Sequence, residues 1–355
     1  MSGPVLFEKH PGLSGRIPWM RLETSPSPVE RLEHFGHEHL WVKRDDLISP
    51  VYGGNKVRKL EFALAEALSK GKSGVVTMGG IGSNHALATS IFCQRLEIPC
   101  TLLLYDQPVT LYALQNLKLY SRYGADIVYQ KTILRTGLDF YVTGRVTRRN
   151  AAFIYSGGSS TAGTLGYVNA GFEIARQVGE GLMPEPDYLV CPLASNGTMA
   201  GLMLGLALAG MKTRVVGVLV AMTHFGPVPL NTKGTVTRFM RDALRLMREA
   251  SPEVPDIALP EPVILEGYLG KGYGYPTDAG NAAIEAFREA GGIRLDPVYS
   301  GKAASGMLDF IEDPGHRDDI VLFLVTYNAV DMSAEAAAVD YWDLPPELHK
   351  FFEEG

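Results

Sequence analysis

The run Gly53-Gly54-Asn55-Lys56-Val57-Arg58-Lys59-Leu60-Glu61 places a lysine where a glycine turn becomes a helix. Paired glycines allow a sharp turn or a close backbone approach, and Asn55 is a favoured helix cap. Val57, Leu60, Leu64 and Leu68 then recur at helical spacing until Gly71 stops the helix, so Lys56 falls in its first turn. A permanent cation is poorly placed there, because a helix N-terminus carries partial positive charge. With Arg58 and Lys59 nearby, the charged form of Lys56 is further disfavoured, and a neutral amine is what bonding to an aldehyde requires. The other reading is a solvated lysine at a frayed helix start, which the local pattern alone favours.

Outward from this stretch the chain alternates strands and helices. Residues 40–44 read as a short strand, and Asp45, Asp46 and Pro50 lead irregularly into the glycine turn. After the lysine helix come an apolar strand at 74–78, a glycine-rich turn at 79–84 and a helix at 85–97. The unit repeats as strand 100–105, helix 110–123 and strand 125–129, with 152–155 beginning the return. Residues 53–155 therefore read as a small α/β domain with a parallel sheet. Residues 1–52 with 156–355 read as a larger domain: helix 159–178, strand 188–193, turn 194–197, helix 198–209, strand 214–221, helix 278–290 and strand 320–326. The continuously apolar strands predict a sheet buried on both faces. The fold class expected is α/β, with two open twisted, mostly parallel sheets carrying helices on both faces. In 235–249, Arg238, Arg241, Arg245 and Arg248 gather on one side, and a solvated basic face explains them more simply than a partner or ligand site.

At 355 residues the chain exceeds one ordinary domain and fits two. A net charge of −6 gives no general attraction to nucleic acid or to an anionic membrane, so neither is expected as a partner. Cys93, Cys100 and Cys191 are odd in number and lack zinc-type spacing, which predicts buried thiols in a reducing compartment, without a disulfide framework or a metal. Residues 1–20 contain Glu8, Lys9 and His10 and no continuous apolar core. The most apolar run, 199–210, is too short to cross a bilayer. A cytoplasmic protein is expected.

Three strand–turn–helix junctions carry the candidate chemistry. Gly79-Gly80-Ile81-Gly82-Ser83-Asn84-His85 has neither the G-x-G-x-x-G spacing of a dinucleotide site nor the G-K-[ST] ending of a P-loop. It offers helix-start amides with Ser83 and Asn84, suited to a small carboxylate, or else a plain capped turn. Ala194-Ser195-Asn196-Gly197-Thr198 also follows an apolar strand. Its backbone amides and the Ser195 and Thr198 hydroxyls suit a phosphate dianion without any lysine or arginine; a capping turn is again the alternative. The third junction is Asp296-Pro297-Val298-Tyr299-Ser300-Gly301-Lys302, accompanied by Tyr268, Tyr273 and Tyr275. Those tyrosines are either part of a site or core and interface residues.

Together these segments resemble the pyridoxal-phosphate enzymes of fold type II, tryptophan synthase beta-like, and within them the family of 1-aminocyclopropane-1-carboxylate deaminase and D-cysteine desulfhydrase. The resemblance runs from about Trp41 to Thr326. It rests on Lys43-Arg44-Asp45-Asp46-Leu47, Gly53-Gly54-Asn55-Lys56 with Arg58-Lys59-Leu60-Glu61, Gly79-Gly80-Ile81 with Ser83-Asn84-His85, Gly157-Gly158-Ser159-Ser160, and Asp296-Pro297-Val298-Tyr299 with Gly301-Lys302. The joint match outweighs the ordinary reading of Lys56.

The resemblance implies pyridoxal 5'-phosphate as cofactor, held covalently by Lys56. It implies that Ser83 lies near the substrate carboxylate, that Asn84 meets the cofactor's phenolic oxygen, and that His85 and Ser159 stand on the substrate side. Ser195, Asn196, Gly197 and Thr198 correspond to the phosphate loop, and Tyr273 and Tyr299 to two active-site tyrosines. Departures are Asn196, where a small residue is usual, and Gly82, where glutamine is frequent. The helix after His85 also lacks the family's arginine and glutamine. Ser300 stands where the cyclopropane deaminases carry a glutamate against the pyridine nitrogen; Thr326 matches the hydroxyl that the desulfhydrases place there. A hydroxyl adds no charge, so the electron sink is weaker, which elimination of a good leaving group tolerates better than opening of a ring without an α-proton.

The function expected is α,β-elimination and deamination of a β-substituted amino acid, D-cysteine first, to keto acid, ammonia and sulfide. Cyclopropane deamination and β-replacement are the alternatives. Lys56 is the first candidate for the α-proton base, with Ser83 and Tyr273 next. A nicotinamide enzyme is disfavoured by the missing fingerprint, and a non-catalytic binding protein by the intact lysine. The family also implies a homodimer.

Overall fold

A strand alternates its side chains between two faces, so one that is apolar throughout needs cover on both. In strand Val321–Leu324, Leu322 and Leu324 join one buried cluster while Val321 and Phe323 join another. Tyr188–Leu193 and Arg214–Leu219 divide in the same way. These strands are central to a six-stranded sheet ordered Val29–Arg31, Leu40–Lys43, Val321–Leu324, Tyr188–Leu193, Arg214–Leu219, Val263–Leu265. Val29–Arg31 pairs antiparallel with its neighbour, and the other neighbours run parallel. Helices Thr161–Gly179, Gly197–Leu208 and Lys233–Ala250 cover one face, and Asp278–Gly291 with Ser300–Glu312 the other.

A second sheet, ordered Asp126–Lys131, Cys100–Tyr105, Gly74–Gly80, Ala151–Ile154, is parallel throughout. Val76, Met78, Leu103 and Phe140 form a buried cluster there. Helices Asn84–Arg95 and Leu111–Arg122 follow the strands Gly74–Gly80 and Cys100–Tyr105.

This computed structural model describes residues 3–33 and 35–353. Its contacts divide the chain into Met1–Phe62 with Ser159–Val330, which holds the six-stranded sheet, and Ala63–Gly158 with Asp331–Gly355, which holds the four-stranded one. Relative to the 53–155 domain expected from the sequence, three segments group differently, residues 156–158 staying with the smaller unit. Residues 53–62, with Lys56, go with the larger unit, where Arg58 is ion-paired to Asp45 and Glu173. Residues 331–355 go with the smaller, where Lys350 donates to the Tyr129 hydroxyl at 3.0 Å and Phe351 meets that ring edge-on.

Among the described residues no helix is long and apolar enough to cross a membrane, and no group of three or more metal-ligating side chains occurs. Cys93, Cys100 and Cys191 are buried and free. On Lys233–Ala250 the arginines 238, 241, 245 and 248 are exposed, while Val236, Met240, Ala243, Leu244 and Met247 are buried, which is the amphipathic helix with a solvated basic face.

Candidate active site

Helix Asn55–Ser69 starts with the Asn55 N–H donating to the Thr326 carbonyl at 3.1 Å. The approach requires glycine next to it. A Cβ on Gly54 would stand 2.6 Å from that same oxygen, and Gly54 has a φ of +87°. Lys56, one residue on, is half-buried. Burial of its ammonium lowers its pKa to about 8, while the Asp296 carboxylate pulls the other way. Desolvation, and not repulsion from Arg58, is thus the cause.

Arg58 is neutralised in a buried network. Its guanidinium donates to Asp45 at 2.8 and 3.0 Å and to Glu173 at 2.9 and 3.0 Å. Lys43 donates to the same Glu173 at 2.5 Å and to Gln177 at 2.8 Å, and Tyr167 donates to Asp45 at 2.7 Å. The Lys43-to-Asp46 motif therefore anchors the start of the lysine helix.

The loop after strand Tyr188–Leu193 turns through Asn196, which has a φ of +58°. Its side-chain amide donates to the Leu230 carbonyl at 2.6 Å and its Oδ1 accepts from the Thr235 hydroxyl at 3.3 Å, so the asparagine is satisfied outside the loop. The first-turn amides of helix Gly197–Leu208 have no intrahelical acceptor. Asn55 donates its side-chain amide to Thr198 Oγ1 at 3.2 Å. Ser159, expected on the substrate side, donates its hydroxyl to the Ser195 carbonyl and so braces this loop.

Sequence reasoning missed Lys59. Its ammonium lies 3.5 Å from where a Cβ on Gly197 would be, so the loop does have a lysine. Burial, and then Lys56, hold its pKa well below the usual lysine range. A phosphate here would stabilise its charged form. The available signal was the spacing, since residues three apart share one helix face.

The hydroxyls of Tyr273 and Tyr299 are hydrogen-bonded, with ring centres 5.8 Å apart, and Lys56 Nζ stands 6.0 Å from the centre of the Tyr299 ring. Burial raises the Tyr273 pKa more than its bond to Tyr299 lowers it, so this hydroxyl stays protonated at neutral pH. Two residues of the third junction, assigned no role from the sequence, place the pair. Asp296 accepts from the N–H groups of Val298, Tyr299 and Ser300 at 2.9, 2.7 and 3.1 Å, and from the Ser300 hydroxyl at 2.7 Å. Lys302 donates to the carbonyls of Leu269 and Gly272 at 2.7 and 3.3 Å, tying down the segment before Tyr273. Thr326 is buried just beyond strand Val321–Leu324. Tyr268 instead bonds the exposed Asp309, and Tyr275 is exposed.

In the smaller unit, Ser83 caps helix Asn84–Arg95 by accepting from the Ala86 N–H at 3.2 Å, which leaves its own proton for another acceptor. Asn116 donates to the Gly82 carbonyl and Tyr120 to the Ser83 carbonyl, both at 3.0 Å, fixing the turn. Asn84 is nine-tenths buried, and its Oδ1 has no partner among the described residues. His85 is buried beside it. An unpaired buried amide is costly and points to a ligand.

Residues 20–326 match the family model described as pyridoxal-phosphate dependent enzyme. The chain is 32% identical over 328 residues to the D-cysteine desulfhydrase of Salmonella paratyphi A, covering 88% of this chain and 95% of that one. It is 32% identical over 327 residues to the protein of the same name from Klebsiella pneumoniae, again covering 88% and 95%. The crystal structure of an ACC deaminase homologue superposes with a TM-score of 0.76 at 29% identity, covering 99% of this chain and 100% of the other. The processed form of threonine deaminase isoform 2 from Solanum lycopersicum shares the fold, with a TM-score of 0.61 at 17% identity over 93% of this chain and 88% of that one. With two helix-flanked, mostly parallel sheets and a lysine at the head of its helix, this chain belongs to the family of pyridoxal-phosphate dependent enzymes, in fold type II.

Proposed function

We propose that the protein catalyses α,β-elimination from a β-substituted amino acid, with D-cysteine the first candidate, giving a keto acid, ammonia and sulfide. The observation that carries this reading is Lys56, whose pKa of about 8 leaves a useful fraction of neutral amine, on the same unit as the Tyr273–Tyr299 hydroxyl pair. Its curated relatives named D-cysteine desulfhydrase support the choice of substrate.

The residues present fit the cofactor. Lys56 supplies the amine for its aldehyde. The Thr198 amide and the Ser195 and Thr198 hydroxyls, with the Lys59 ammonium, would supply donors for its phosphate, the Gly197 N–H being held by the Ser195 carbonyl, and the orphaned Asn84 amide oxygen would supply a partner at its ring oxygen. Pyridoxal phosphate, when bound, draws electrons from the substrate α-carbon. Ser83 binds the substrate carboxylate, with His85 beside it. The Lys56 amine takes the α-proton, and Tyr273, protonated at neutral pH, gives a proton to the departing thiolate. We read the larger unit as the cofactor-binding domain and the smaller as the domain of the Ser83-Asn84-His85 turn. The protein acts as a cytoplasmic homodimer on a free amino acid.

Ring opening of 1-aminocyclopropane-1-carboxylate is the second reading, favoured by the likeness to an ACC deaminase homologue. Against it, the Ser300 hydroxyl donates to Asp296 and accepts from the Asp296 N–H, both at 2.7 Å, and brings no carboxylate to the pyridine nitrogen. The Thr326 hydroxyl would take that place, bonding without adding charge. Steady-state assays of keto-acid release decide between them. D-Cysteine is expected to turn over with little or no release from the cyclopropane, and comparable rates on both would remove the Ser300 and Thr326 argument. A panel of D- and L-β-substituted amino acids identifies the leaving group, and mass measurement in solution checks the dimer.

A further inference from the structure

Within the smaller unit, the turn before Ser83 is roofed by a side chain from another loop. Gln107 follows strand Cys100–Tyr105 and lies over Gly80 and Gly82. A Cβ on Gly82 would stand 2.7 Å from Gln107 Nε2 and 2.9 Å from the Ala113 Cβ, and one on Gly80 would collide with Gln107 Oε1. Neither position accepts a side chain while Gln107 is in place. The space over Gly82 is thus occupied by a glutamine amide entering from position 107.

That amide is incomplete. Gln107 Oε1 is buried and has no hydrogen-bond partner among the described residues, the same condition as Asn84 Oδ1 in the adjoining first turn. Unpaired buried amides are retained where something else completes them. A half-turn of the terminal torsion exchanges oxygen for nitrogen, so each amide presents a donor as readily as an acceptor. The surroundings decide which is wanted. The Gly82 and Ser83 carbonyls are already taken by Asn116 and Tyr120, and the Ser83 and Ala86 N–H groups by the Gly80 carbonyl and Ser83 Oγ, whereas the Ser83 hydroxyl proton and the Asn84 N–H remain as donors. A face made of donors suits a carboxylate.

We propose that Gln107 is a substrate-binding residue, its side-chain amide donating to the α-carboxylate of the amino acid at the Ser83–Asn84 turn in place of a side chain at position 82. The proposal rests on the amino-acid reading above and deepens it. One charge-assisted hydrogen bond is at stake, on the order of ten- to a hundredfold in affinity.

Spectral titration of the holoenzyme with D-alanine, which has no leaving group, and with ethylamine, which has no carboxylate, tests it. Gln107→Met keeps the volume and is expected to weaken D-alanine by about ten- to a hundredfold, to leave ethylamine and cofactor retention unchanged, and to raise KM for D-cysteine more than it lowers kcat. Gln107→Glu should weaken D-alanine further, by setting carboxylate against carboxylate. Gln107→Ala, measured alongside, answers the same question if the methionine disturbs the turn. An unchanged ratio of D-alanine to ethylamine affinity in these variants overturns the role of Gln107. A native holoenzyme with no spectral response to either amine instead overturns the amino-acid reading beneath it.

Discussion

Asn55 donates its side-chain amide to Thr198 Oγ1, so the residue before Lys56 is bonded to the loop assigned to phosphate. Thr198→Val removes a hydroxyl donor and strands the Asn55 amide together. Cofactor affinity should fall by about 1.5–3 kcal/mol, the worth of a hydrogen bond to a charged group. Equilibrium dialysis of the apoprotein against pyridoxal phosphate measures it. Ser83→Ala should retain the cofactor and slow turnover, and an exchange of the two phenotypes would undo both assignments.

Capture of the cofactor needs the neutral form of Lys56. Its rate in the apoprotein should climb as pH rises toward about 8 and level off above, whereas an ordinary lysine would keep gaining toward 10.5. Asp296→Asn removes the charge that favours the ammonium, so the midpoint should move down. Borohydride reduction and peptide mapping should place the cofactor on Lys56; a label on Lys59, or none, would contradict the assignment.

Lys59→Met takes the ammonium away from the Gly197 end of the loop. Cofactor retention should weaken by about 1.5–3 kcal/mol, with KM for D-cysteine little changed at saturating cofactor. Lys59→Arg should not restore it, because the site is fully buried and a guanidinium is larger and planar. Equal retention in Lys59→Met and the native protein would remove Lys59 from the phosphate site.

Glu173 joins the cofactor helix to the core. Burial favours its neutral form, but Arg58 and then Lys43 outweigh it and hold its pKa below the usual 4.5. A carboxyl depressed in the folded state contributes stability that is fully present above 4.5 and lost as pH falls from there through the folded value. Unfolding free energy should therefore decline on acidification below 4.5, and Glu173→Gln should flatten that decline. At neutral pH the same substitution leaves two buried cations facing an uncharged amide and should cost about 3–5 kcal/mol in urea unfolding. Breaking the exposed Lys70–Glu66 pair should change stability by less than about 1 kcal/mol.

The lysine helix was legible because its signals are local: a glycine pair, a capping asparagine and apolar residues at helical spacing. The central strands were legible because burial on both faces makes them apolar throughout. What escaped depends on residues distant in the chain. The nearness of Lys59 to Gly197 and of Gln107 to Gly82 leaves no trace in either stretch alone. Val29–Arg31 and Val263–Leu265 are edge strands of three residues, too short to show a period. Helix Ser300–Glu312 escaped because it opens on Ser-Gly, weak helix formers, behind an aspartate turn. Ser300 was placed by its neighbours in the motif, yet its hydrogen bonds to Asp296 emerge only in three dimensions.

Strand Leu40–Lys43 pairs with Val321–Leu324, near the opposite end of the chain. On the ribosome, the early strand waits on the order of tens of seconds for that neighbour to be synthesised. Through this interval its inner edge is unpaired, and Lys43, which ends it, has its carboxylate partner Glu173 only midway through translation. The lysine helix that follows shares this dependence, since the Asn55 N–H takes its acceptor from Thr326. Cofactor capture is therefore expected to come late, and a nascent chain stalled before residue 326 should yield no borohydride-fixed label on Lys56 however much pyridoxal phosphate surrounds it.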